Sequence, residues 1–206
     1  SVIKLSGEDG KPLLPVFVSE TVSDFYFANS PKRIKEYIRA THLSGVGIED
    51  GSLVSQLLGS TFQQYNFYEN WNRILDKDFV SPLANSGNMY YIYTLRDTMW
   101  IDNHWCYEIQ VNPKRKEDLA FTGTIWIADT SFALKRVVLE IGKGANLNFI
   151  EKIKIQQELM PTVEGPWVQS KARILVDVAQ VSKTTAGMLA RFYSSHKNYV
   201  LNQPKP

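Results

Sequence analysis

Cysteine is almost missing from this chain. Cys106 is the single one in 206 residues, so no internal disulfide can form and no cysteine-based zinc site can be assembled. Histidine is nearly as scarce. His42, His104 and His196 lie far apart, with none of the His-x-x-x-His or Glu-x-x-His spacings that aim two ligands at one ion. No Gly-x-Ser-x-Gly elbow occurs; Ser19-Glu20 sits in a strand pattern and Ser81-Pro82 has no paired base. No glycine-rich segment follows a strand and opens a helix, so nucleotide binding lacks its phosphate cradle. Neither sign of charge dominates: 23 Lys and Arg against 21 Asp and Glu give a net +2. The two signs are interspersed, unlike the basic stripe of a nucleic-acid surface. No apolar run approaches the ~18–20 residues of a membrane helix, and no signal peptide is visible. These absences predict a chain with no catalytic residues, no metal, no cofactor and no nucleic-acid partner.

What is abundant is strand-forming material. Hydrophobic residues make up 44% of the chain, with ten Tyr, ten Phe and five Trp. Aromatic and β-branched side chains suit a half-buried pleated surface. The stretch FTGTIWIADTSFALKRVVLEI, 121–141, shows the pattern best. Phe121, Gly123, Ile125 and Ile127 alternate with Thr122, Thr124, Trp126 and Ala128, and Ala128 to Ser131 reads as a turn. The odd-numbered set is expected to face the core, which leaves Trp126 on the outer side. Strands are predicted near 89–97, 103–112, 120–128, 133–142, 149–160, 166–178 and 187–199. Most links between them are hairpin-length, so neighbours should pair antiparallel. Apolar Trp105, Tyr107, Ile109 and Val111 oppose His104, Glu108 and Gln110; Phe149, Ile153, Ile155 and Leu159 oppose Lys152, Lys154, Gln156 and Glu158. Such alternation describes a sheet wet on one side and covered on the other. Cys106 falls in this pattern as a buried structural thiol. Pro113 to Asp118, the densest charge cluster, reads as a solvated hairpin loop. Asp97, Asp129, Asn146 and Asn148 read as turn residues bonding local backbone.

The cover is expected from helices before the meander. Pro15 to Ser23 reads as a strand. Ser30-Pro31 then resembles a cap and first helical turn ahead of Lys32 to His42, where Ile34, Tyr37, Ile38 and Thr41 fall on one helical face, with a continuing strand as the alternative. Ser52 to Trp71 is the second helical candidate, with Leu53, Leu57, Phe62, Tyr65 and Tyr68 at roughly helical spacing and a Gly59-Ser60 interruption. Leu83 to Asn88 reads as a helical turn. The predicted fold is therefore α+β, mainly β: one domain over 1–206, built as a large curved antiparallel sheet with helices packed on its concave face. Tyr107, Ile109, Ile125, Ile127, Ile153 and Ile155 are the candidate lining of that face.

Three segments, Leu14 to Thr21, Phe79 to Leu83 and Phe121 to Asp129, resemble a family of uncharacterised envelope proteins of Bacteroidetes-type bacteria. In that family the region follows a carboxypeptidase-regulatory-like β-sandwich and precedes an outer-membrane barrel. The start of the chain reads as mid-protein and Asn202 to Pro206 as a linker, so a piece of a longer outer-membrane protein is expected. More distantly, the order strand, helices, meander is similar to the half-barrel of LolA- and LolB-type lipoprotein carriers. Tyr107 through Pro113 to Leu139 resembles their strand, loop and Gly-x-x-Trp-Ile-Asp hairpin. These resemblances imply a LolA-like half-barrel on the periplasmic side of the outer membrane. They imply a non-enzymatic role: holding a lipid or lipoprotein acyl chain, or docking the adjoining domains of its own chain. The alternative is a structural or protein-interaction module whose half-barrel is filled by its own side chains. An envelope hydrolase is the weakest option.

Overall fold

The computed structural model describes residues 5–6, 12–13, 17–29, 32–45, 65–147, 150–178 and 188–201. The chain divides into two compact units, Ser1–Leu57 and Leu58–Pro206.

The first unit holds a two-residue pair, β1 (Leu5–Ser6) with β2 (Pro12–Leu13), and a long hairpin, β3 (Phe17–Asn29) with β4 (Lys32–Gly45). Lys32 to His42 is thus a strand, the alternative to its helical reading. Its apolar positions do fit a helical face, but Ile34, Tyr37, Ile38 and Thr41 are β-branched or aromatic and favour a strand. An equally long strand precedes them, and β4 pairs along its length from Asn29↔Lys32 to Phe17↔Gly45. The Arg39 Nε–H donates to Asp24 Oδ2 at 2.8 Å across this ladder.

The second unit opens with a turn-rich segment from Tyr65 and a short hairpin, β5 (Trp71–Ile74) and β6 (Lys77–Val80). A four-residue helix, α1 (Gly87–Tyr90), leads into the meander: β7 (Tyr91–Ile101), β8 (His104–Pro113), β9 (Thr122–Ala128), β10 (Leu134–Leu147), β11 (Ile150–Pro161), β12 (Trp167–Val178) and β13 (Met188–Ser195). These seven strands form one antiparallel sheet in sequence order. The strand predictions hold within a few residues. The Asp102-Asn103 link shows why the connections are short: Asp102 takes the left-handed φ of 51° that a two-residue hairpin turn requires.

The predicted helical cover is overturned. Among the described residues α1 is the only helix, and no helix packs on either face of the sheet, so the half-barrel with helices on its concave face is not this fold. The stretch 65–71 of the predicted 52–71 helix is turn and strand; residues 52–64, with Leu53, Leu57 and Phe62, lie outside the described residues. Among the described residues the cover is instead the segment Tyr65 to Val80. Phe67 and Phe79 pack on Phe121, with ring centroids 5.4 and 5.7 Å away. The Gln157 side-chain amide donates to the Tyr65 carbonyl at 2.9 Å. Leu134 N–H donates to the Tyr68 hydroxyl, and Lys77 Nζ to the carbonyls of Ala145 and Asn146. The hairpin turns alternate side chains of β5, Asn72 and Ile74, inward while its two backbones pair with each other.

Strand partners share a face. One row runs Leu95, Ile109, Ile125, Val137, Gln157, Ala172, and the next runs Tyr93, Val111, Gly123, Leu139, Ile155, Ile174. This is the covered face, and its β9–β12 portion is the main core. Each fully buried Ile or Leu there contributes roughly 1.5–3 kcal/mol relative to exposure.

Candidate functional site

The six predicted lining residues do share the covered face, but they do not share an environment. Ile125, Ile153 and Ile155 are buried in the core beneath the Tyr65–Val80 segment. Tyr107, Ile109 and Ile127 are only partly buried. They lie toward β7, next to Tyr93, Leu95, Trp100 and Trp105, all exposed. The six therefore form half a core and half an open apolar surface.

That surface belongs to the edge of the sheet. Among the described residues β7 pairs only with β8, and its outer row of N–H and C=O groups has no strand partner; the Thr98 N–H is taken by the Asp97 carboxylate. Exposed edges are normally blunted by charge, proline or shortness. Here eleven residues carry one charged pair, Arg96-Asp97, flanked by Ile92, Leu95 and Trp100, which are 53%, 62% and 66% exposed. Trp100 meets Trp105 edge-on, centroids 5.4 Å apart. The Tyr93 hydroxyl is tied to the Pro82 carbonyl at 2.8 Å, which fixes its ring at the start of the strand.

A bulge shapes this edge. The register skips one residue between Leu95 and Asp97, with Leu95 opposite Ile109 and Asp97 opposite Glu108. Arg96 is the extra residue, and its guanidinium bonds Gln110 Oε1, on the face that Asp97 and Glu108 share. Asp97 was expected in a turn. It lies inside β7 instead, where its carboxylate accepts the Thr98 N–H at 2.7 Å. Two carboxylates thus stand opposite each other across β7 and β8. Glu108 accepts the Trp126 indole N–H at 3.3 Å. Like charges directly opposite are unfavourable in a ladder.

The second face carries another feature the sequence did not announce. Lys135 is the extra residue of a bulge in β10. Its side chain is 4% exposed, and Nζ reaches Asp102 Oδ2 at 2.7 Å and the Leu159 carbonyl at 3.2 Å. Nearby, Ile101, Cys106 and Ala128 form a small core with Trp126 and Trp167 against it, and His104 packs on Trp167 at 4.8 Å. In a flat sheet β8 and β12, four positions apart, would lie ~19 Å from each other. The contact therefore requires strong coiling, which folds the β7–β8 turn over this face. Burial raises the Cys106 thiol pKa, so it is a poor nucleophile. The Lys135 ammonium holds the Asp102 carboxyl below the ordinary aspartate range.

Other residues singled out in the sequence have structural partners. Ser81 Oγ–H donates to the Phe67 carbonyl at 2.5 Å and accepts the Leu83 N–H. Asp129 accepts the Tyr107 hydroxyl at 2.8 Å rather than only local backbone, and this bond is the main cause of a raised Tyr107 pKa. The Pro113–Asp118 loop is solvated at Lys114 to Glu117 and closes an Arg115–Asp118 ion pair at 3.1 Å. Asn146 takes a left-handed φ of 49° in β10; Asn148 and Phe149 lie outside the described residues. Among the described residues no group of three or more His, Cys, Asp or Glu side chains converges as a metal site would.

Residues 5–199 match a family of unknown function, DUF5686, and the chain belongs to it. No curated protein matches the chain, and no solved structure does.

Proposed function

We propose that this DUF5686 member is a non-enzymatic docking module that works through the β7 edge of its sheet. One observation carries the reading: among the described residues β7 has no strand on its outer side, and that edge is flanked by exposed Ile92, Leu95 and Trp100. Exposed apolar clusters beside a free edge are costly to keep unless a partner covers them. The chain's own Tyr65–Val80 segment already fills the β9–β12 part of the covered face, which favours the interaction module over a carrier with an internal ligand chamber. The resemblance of the Leu14–Thr21, Phe79–Leu83 and Phe121–Asp129 motifs supports a cell-envelope setting beside other domains of a longer chain.

A photo-crosslinking residue placed at Leu95 or Trp100 in cells should capture a protein partner. The same residue at Val163, fully exposed in the β11–β12 link, should capture none. Equal capture at both places, or none at β7, would overturn the reading. A second reading rests on Tyr107, Ile109 and Ile127, which are apolar and only partly buried: a lipid or acyl chain laid along this strip. Titration with a fluorescent fatty acid separates the two. Saturable micromolar uptake lost on Ile109→Lys would favour the lipid.

A further inference from the structure

We propose that the occupant of the β7 edge is β7 of a second copy, paired antiparallel about a two-fold axis between Arg96 and Asp97. The inference rests on the docking reading above and names its partner. In this register Arg96 lies opposite Asp97 of the other copy, and Asp97 opposite its Arg96. Leu95 meets Thr98, Thr94 meets Met99, Tyr93 meets Trp100, and Ile92 meets Ile101.

The bulge is what makes the register self-consistent. In a regular strand neighbours alternate faces, and a two-fold axis between two residues would set side chains from opposite faces against each other. Here the bulge puts Arg96 and Asp97 on one face. Leu95 and Thr98 then share the other face, as do Tyr93 and Trp100, so every pair named above is same-faced. The axis falls where the alternation slips.

Charge complementarity selects this occupant over a generic strand. Asp97 and Glu108 stand opposite each other, and neither has a cation within ion-pair distance among the described residues. The chain's own Arg96 is held on Gln110. The second copy's Arg96 arrives beside that carboxylate pair, and symmetry makes the contact twice. Around the charges, Tyr93 and Trp100 on one face and Ile92 on the other are covered by their symmetry partners. Five exposed side chains of β7 (Ile92, Tyr93, Leu95, Met99 and Trp100), with Trp105 beside them on β8, expose apolar area on the order of 500 Å² per copy. Pairing covers the part of this area nearest the new strand, so the interface is smaller than the ~800 Å² per partner of a standard one and suits a weak, reversible dimer. The two seven-stranded sheets would then run on as one.

Sedimentation of the purified protein between about 1 and 100 µM tests this. A reversible dimer is expected, with dissociation on the order of 10 µM. Arg96→Asp and Asp97→Arg, each placing like charges across the axis twice, should each weaken it about tenfold or more. The double variant Arg96→Asp/Asp97→Arg should restore it to within about threefold, because the pairs are swapped rather than lost. Both side chains are exposed, and thermal melts of the three variants check that folding is kept. Hydrogen exchange supplies the second readout: β7 amides should become protected as concentration rises, and β13 amides should not. A monomer at 100 µM overturns the proposal. So does a dimer indifferent to either single reversal, or one the double variant fails to restore. Crosslinking from Leu95 to a different protein, with a monomer in solution, would sink self-pairing and leave the docking reading standing. Absence of both would sink the two together.

Discussion

The Lys135–Asp102 pair gives a sharp test because its two ends differ in environment. The lysine side chain is 4% exposed and the aspartate 69%. Removing the exposed partner should therefore cost more than removing the buried one. Asp102→Asn leaves a buried ammonium with the Leu159 carbonyl at 3.2 Å as its remaining partner. Breaking a buried pair typically costs about 3–5 kcal/mol. Water at the exposed Asp102 position can replace part of the lost interaction, so a loss of about 2 kcal/mol is expected. Lys135→Met keeps the apolar stem beside a core rich in aromatic side chains and leaves Asp102 solvated. As a near volume-conserving change it should cost less than about 1.5 kcal/mol. In the Lys135→Met background Asp102→Asn should cost nearly nothing, a coupling well above the ~0.5 kcal/mol seen for independent sites. The acid limb follows from the same contact. Folded Asp102 titrates below its ordinary value, chiefly through the Lys135 hydrogen bond. Its contribution is fully present above the unfolded value of ~3.9 and is lost as pH falls through the folded one. Urea unfolding at pH 7 and pH 3 measures all of this, and Lys135→Met should flatten that part of the acid limb. If Lys135→Met loses more stability than Asp102→Asn at pH 7, the desolvation argument is wrong.

Gly123→Ala should be severely destabilising, by roughly 3 kcal/mol or more in a chemical melt. Gly123 has φ of +143°, and an added Cβ would sit 2.1 Å from the Val138 carbonyl oxygen; a loss under about 1 kcal/mol would refute the close approach. Tyr65→Phe should be neutral or stabilising by about 1 kcal/mol, since its buried hydroxyl has no partner among the described residues and removing it relieves desolvation. A clear loss of stability would show that the hydroxyl is satisfied. Ile125→Ala should cost about 2–5 kcal/mol and exceed Trp126→Ala, because Ile125 is buried in the main core while Trp126 is partly exposed on the second face. Thermal melts of the pair decide it, and the reverse order would invert the face assignment.

The meander was legible because its signal is local. Period-two alternation in 104–113, 122–128, 150–161 and 167–178, with short polar links, leaves little choice but consecutive antiparallel pairing. The covered face was legible for the same reason, and so was the grouping of Tyr107, Ile109, Ile125, Ile127, Ile153 and Ile155 on it. Even the bulges left a trace. Leu134, Val137, Leu139 and Ile141 are spaced three, two and two, and Leu95, Thr98 and Trp100 three and two, each a slip of one residue in the alternation. That slip is the signal the sequence carries for Lys135 and Arg96.

The cover was misread because a short apolar spacing fits two periods at once. In Lys32–His42 the spacing suits a helix, and only pairing with β3 made it a strand. In Tyr65–Trp71 the aromatics suited a helical face, but they serve a turn that lays Phe67 against Phe121, distant in sequence. The sequence by itself determined the strands of the meander, their order and which of their side chains share a face, since these depend on neighbours along the chain. Only the tertiary structure decided which part of that face is sealed and which left open at β7, and that the β7–β8 turn coils over to bury Lys135. Those outcomes depend on the accumulated twist of seven strands and on where one remote segment comes to rest. Neither is encoded in the spacing of any single stretch.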